Sequence, residues 1–151
     1  MKRFAQHGLL VVVAILGVSD AAMAADHPDE CTVKTLRGTY VFAATGHNIV
    51  AGVAQPKAIV EVIEFDGNGV LSAPTATRSV NGVIARGLVG SGGYTVDASC
   101  SGTITFDGPG PTFDMFFSAD GEKLWLIQTN PNTVFQGTAT RVSNDQLQDQ
   151  D

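Results

Sequence analysis

Residues 101–118 read SGTITFDGPGPTFDMFFS, and the way this stretch is parsed decides the fold. Ile104 and Phe106, then Phe113, Met115 and Phe117, alternate with Thr103, Thr105, Thr112 and Asp114. A two-residue period of this kind belongs to half-buried strands, with one face inward and one meeting water. DGPGP at 107–111 joins the two runs, and Asp followed by Gly suits a hairpin whose backbone must reach positive φ. A second Phe-Asp-Gly occurs at 65–69, FDGNG. A calcium loop starting at Asp66 and Asn68 would meet Val70 at the next ligand position and Thr77, not Glu, at the twelfth. The other copy carries Pro109 where Asn68 stands, and no helix follows either one to receive a phosphate on its N-terminus. Both are read as turns, with Phe65 and Phe106 as the last strand residues, packing a barrel end.

The same reading extends outward along the chain. Strand-like runs cover 38–45, 57–65, 69–80, 82–89, 93–98, 101–106, 112–118, 123–129 and 133–141. Turn compositions separate them: DGNG, NG at 81–82, SGG at 91–93, DGPGP, DG at 120–121 and NPN at 130–132. Hairpin chemistry every 8 to 12 residues predicts an all-β, single antiparallel meander of about eight or nine strands. Such a meander closes into a small barrel because closure removes exposed edges; a β-sandwich is the alternative. Outward Thr, Asp, Lys and Arg speak against an outer-membrane barrel, which needs an apolar band there. GHNIVAGVAQP (46–56) is apolar for a connection, and is either a cover over a barrel mouth or another short strand.

Lys2 and Arg3, an apolar run from Leu9 to Val18, and Ala22-Met23-Ala24 have the form of a secretory signal peptide cleaved after Ala24. Pro28, Asp29 and Glu30 ahead of Cys31 argue against a lipid anchor. The expected organisation is a signal peptide at 1–24, a leader at 25–36, a barrel at 37–142 and a disordered polar tail at 143–151, with periplasmic or secreted localisation. Losing Lys2, Arg3 and Asp20 removes two positive charges and one negative, taking the net charge from −6 to −7. An acidic chain with scattered basic residues offers no stripe for nucleic acid. Two cysteines in an exported chain, Cys31 and Cys100, predict one disulfide tying the leader to the fold.

Catalytic patterns are sparse. His27 and His47 lack neighbouring metal ligands, no G-x-S-x-G elbow is present, and no cofactor is indicated. Glu61 and Glu64, three apart on a strand, face opposite ways; Glu61 or Asp114 would become an acid only if it pointed inward.

Tyr40 in GTY (38–40) and Arg141 in GTATR (137–141) resemble the calycin group of small barrels, which includes lipocalins and avidins. In that group an aromatic on the first strand, usually Trp, packs under an Arg from the last, closing the barrel base. The layout CTVKTLRGTYVFAATG, FDGNG, GGYTVDASCSGTITF, ADGEKLWLIQT also looks like a family of uncharacterised secreted bacterial β-proteins, a resemblance that implies no activity.

Two function classes follow. In the first, Tyr40, Phe42, Tyr94, Phe113, Met115 and Phe117 line an apolar cup for a small hydrophobic ligand. An eight-stranded barrel is just wide enough for side chains to fill, and the filled core has the edge. In the second, Trp125, Ile127 and Phe135 form an outward patch for a protein partner or a second copy, as on a surface protein or antigen. A lipid cyclase-like enzyme, shaping its substrate in a cavity, comes third and requires an inward carboxylate or tyrosine.

Overall fold

Eight antiparallel strands, each hydrogen-bonded to its successor, close on themselves where the last pairs with the first. They are β1 (Gly38–Val50), β2 (Val53–Phe65), β3 (Val70–Val80), β4 (Val83–Asp97), β5 (Ser101–Phe106), β6 (Thr112–Phe117), β7 (Lys123–Gln128) and β8 (Thr133–Ser143). The computed structural model describes residues 30–144. Residues 1–24, read above as a signal peptide, His27 and the tail beyond Asn144 lie outside the described residues, and Ser143 belongs to β8. The barrel is therefore closed, and no sandwich forms.

Alternation produces the interior. In β5 and β6 every second residue is buried, and Tyr40, Phe42, Phe65, Ile104, Met115 and Leu124 meet in one cluster. The nine predicted segments become eight because 82–89 and 93–98 are one strand, β4. SGG at 91–93 is not a turn. Gly92 lies so close to the backbone of Thr105 and Phe106 that a Cβ would collide with it, so glycine serves close strand approach there. The stretch 46–56 resolves as strand: β1 and β2 run on to a two-residue turn at Ala51-Gly52, both at positive φ. Asn81-Gly82 makes the equivalent turn between β3 and β4.

The wall is uneven in height. β5, β6 and β7 have six residues each, whereas β1 to β4 and β8 have eleven to fifteen. At one end, the base, the 3-10 turn Val33–Leu36 lies across the opening with Leu36 fully buried. Cys31 and Cys100 are joined with their Cα atoms 5.1 Å apart, holding that plug to the β4–β5 turn. On the chain-entropy account a closed loop of 69 residues stabilises the fold by about 4 kcal/mol.

Candidate functional site

The base is filled and fully hydrogen-bonded. Tyr40 donates its hydroxyl proton to the Gly121 carbonyl at 2.6 Å, while Nε and Nη2 of Arg141 donate to the Tyr40 hydroxyl oxygen at 2.9 and 2.8 Å. The Arg141 guanidinium lies 5.3 Å from the Tyr40 ring centroid, and Nη2 also donates to the Thr35 carbonyl of the plug. Burial, opposed by the Arg141 hydrogen bond, pushes the Tyr40 phenol up to about 12, so it stays protonated. Phe65 packs edge-on against both Tyr40 and Tyr94, whose hydroxyl donates to the Val33 carbonyl.

The other end, the mouth, is open, a depression over phenylalanine rings that are themselves buried. A cavity of about 620 Å³ opens above the short wall, lined by Phe42, Ile59, Phe106, Phe113 and Phe135 with Lys57, Glu61, Arg78, Gln128 and Asn130. One inward row runs across the pairing Leu124, Ala139, Phe42, Glu61, Ala76, and its small end residue, Ala76, lies at this cavity beside Phe42 and Glu61.

Three charged groups face this space from β2 and β3. Glu61 lies deepest, between Phe42 and Ala76 in the pairing, and its carboxyl makes no hydrogen bond or ion pair with any described residue. Burial pushes its carboxyl up to about 7. Lys57, four residues nearer the rim, donates from Nζ to Gln128 Oε1 at 2.9 Å and sits 4.0 Å over the Phe135 ring. Gln128 Nε2 in turn donates to Asn130 Oδ1, which also accepts the Thr112 N–H, so the rim is tied together. Burial, and then the charge of Arg78, lower the Lys57 pKa.

Of the six residues expected to line a cup, Phe42 and Phe113 do so. Tyr40 and Tyr94 belong to the base, and Met115 and Phe117 are buried in the filled part of the interior. Trp125 and Ile127 do face outward, 47% and 49% exposed. Phe135 does not: at 2% exposure it points into the cavity under Lys57. Val134 beside it takes the outer phase, and two adjacent apolar residues give no local means of telling which is which. Phe116, 60% exposed and opposite Trp125 in the pairing, belongs to the outer face instead. That face holds a groove of about 740 Å³ in which Phe116, Trp125 and Ile127 rise beside the low Ala43, Ala58 and Thr138.

Asp114 is exposed, whereas Glu61 meets the inward condition set for an acid. Lys57, Gln128, Asn130 and Phe106 are site residues that sequence reasoning misses. Counting back by twos from Phe65 does place Ile63, Glu61, Ile59 and Lys57 on one face. The opposite phase, Ala58, Val60, Val62, is equally apolar and masks that signal.

Fold and site together define a small closed β-barrel, plugged at one end and open in a depression at the other. The sequence matches no protein-family model, and no curated protein is significantly similar to it.

Proposed function

We propose that this is an exported, non-catalytic barrel that carries a small, largely apolar ligand in its mouth cavity. The observation that carries this reading is the contrast within one interior. The base is packed and hydrogen-bonded under a plug, while the mouth is an open depression with four buried phenylalanines at its floor and a few fixed polar groups at its rim. Ligand pockets have this composition and size. Membership of a calycin-like group is supported by Arg141 stacked over Tyr40 at the base, and export by the Cys31–Cys100 bridge. Among the described residues no helix is long and apolar enough to cross a membrane.

Neutral N-phenyl-1-naphthylamine provides the test, together with native mass spectrometry of protein prepared from a periplasmic extract. Saturable fluorescence enhancement is expected, weakened at least tenfold by Ala76→Trp, which places an indole in the cavity. A bare mass and no saturable signal would remove the reading.

A second reading rests on the outer groove. A barrel wall in water is ordinarily polar, as at Thr95, Thr103 and Asp114, but the rows Phe116–Trp125–Thr138–Ala43–Val60 and Ile127–Gln136–Thr45–Ala58 are predominantly apolar or small. That surface supports an interaction role through Trp125 and Ile127.

A further inference from the structure

A barrel closed over its whole height has no edge strands, but this one closes over only part of it. β5 pairs with residues 92–97 of β4 and ends at Phe106, while β4 runs on up to Val83. The Asp107 N–H donates to the Ser91 carbonyl. Above that point residues 83–90 pair with β3 on one side and have no backbone partner among the described residues on the other. Natural sheets blunt such edges with charges or proline. This one carries no proline and a single charge, Arg86. It also holds the two most exposed large apolar side chains of the described residues, Val89 at 79% and Val83 at 74%.

A bulge gives the edge a symmetry of its own. Arg78 pairs with Ala85 and Ala76 with Leu88, so β4 holds one residue more than β3 over this interval, and its alternation switches at Gly87. Ile84 and Arg86 accordingly face the outer groove, whereas Leu88 borders the mouth and a side chain at Gly90 would point at the Phe106 ring. When the edge is laid antiparallel against a copy of itself with Arg86 opposite Gly87, the two switches cancel. Ile84 then faces Val89 on the outside, and Ala85 faces Leu88 and Val83 faces Gly90 on the inside. Each Arg86 lies opposite a glycine rather than directly opposite a second guanidinium. Residues 83–90 form a ladder about 26 Å long. With the side chains on its two faces, that ladder covers on the order of 1,000 Å² in total, the least expected of a specific contact.

We propose that the free edge of β4 is a self-recognition site, where two copies of this chain join antiparallel about a two-fold axis beside Gly87 and merge their walls into one continuous sheet. The occupant is a second copy because the edge's own sequence, bulge included, matches it in register, and an antiparallel pair of identical strands closes as a two-fold dimer. The contact hides Val89 behind Ile84 of the second copy and gives the unpaired backbone of residues 83–90 its partners. It depends on neither the mouth nor the outer groove.

Sedimentation velocity from 1 to 300 µM tests association, and cysteine pairing tests the register. The small area implies a reversible monomer–dimer equilibrium in the micromolar range. Val89→Lys should weaken it at least tenfold and leave the urea midpoint unchanged, because that side chain is exposed in the monomer. Under mild oxidation an equimolar mixture of Ile84→Cys and Val89→Cys chains should form a disulfide between copies, and neither chain alone should, because each site lies about 17 Å along the ladder from its own counterpart. A wild type that is monomeric at 300 µM overturns the proposal, as does either single-cysteine chain cross-linking as readily as the mixture. A dimer that survives Val89→Lys but is lost in Trp125→Glu also overturns it and assigns association to the outer groove.

Discussion

The two Phe-Asp-Gly turns sit at opposite ends of the barrel and have opposite surroundings. At FDGNG, Asp66 Oδ1 accepts the N–H groups of Asn68 and Val70, and Phe65 is wedged between two tyrosines under the disulfide-held plug. At FDGPG, Asp107 is tied to Ser91 instead, and Phe106 borders open volume beside Phe113. The same three residues end a strand in both places. What differs is the reach of the strands around them: long strands on all sides and a plug at the base, and a short wall of β5 to β7 at the mouth. A local motif sets a turn, but the lengths of neighbouring strands decide whether the turn closes the barrel or rims a cavity.

The sharpest way to break this contrast is to truncate one phenylalanine at each end. Phe65→Ala removes a fully buried ring from a packed cluster and should cost about 3–5 kcal/mol of unfolding free energy. Phe135→Ala removes an equally buried ring whose site borders open space, so the cavity term is largely absent and the expected loss is about half as great. Urea denaturation of both variants decides the matter. Equal losses would mean that the mouth is packed like the base.

Much of the barrel is legible in the amino-acid sequence, for a physical reason. Period-two alternation in residues 101–118 and the N-G pair at 81–82 are local signals that act within one hairpin. Ala51-Gly52 turns just as tightly, yet an alanine at φ 48 is unusual, so residues 46–56 do not read as two strands meeting. The site is less legible because it is assembled across the barrel. Lys57 reaches Gln128, 71 residues away in sequence, and Phe135 takes its place beneath Lys57 by register rather than by composition. Glu61 is recognisable as a conditional acid, but the condition, its facing direction, depends on a strand whose two phases are almost equally apolar.

A smaller effect sharpens the comparison through pH. The Tyr40 hydroxyl at the base has partners for its burial, whereas Glu61 has none among the described residues. A carboxyl whose folded pKa is raised, here from 4.5 to about 7, holds more protons folded than unfolded between those values. Stability is therefore lost as pH rises through that window, and the full cost is present above it. Water reaching the open cavity screens part of that cost, which is expected to be on the order of 1–2 kcal/mol. Urea denaturation of the wild type and of Glu61→Gln at pH 5 and pH 8 isolates the contribution. The variant should gain on the wild type at pH 8 and match it at pH 5; the same difference at both pH values would show that Glu61 is solvated like a surface residue.

The smallest stability change belongs outside the barrel, where Trp125 contributes to neither end. Trp125 is half exposed, with the Lys123 ammonium 5.4 Å from its ring centroid, so Trp125→Glu should alter unfolding free energy by only about 0.5 kcal/mol. Its effect should instead appear in self-association, because Phe116, Trp125 and Ile127 stand beside a trough of Ala43, Ala58 and Thr138 that a second copy's ridge could enter. Sedimentation velocity across a hundredfold concentration range separates the two proposed surfaces. A wild type that associates and a Trp125→Glu variant that does not, both binding the neutral probe equally, would assign association to the wall and ligand binding to the mouth. A wild type that stays monomeric throughout removes self-association as the purpose of the groove and leaves the open mouth as the proposed site to be tested.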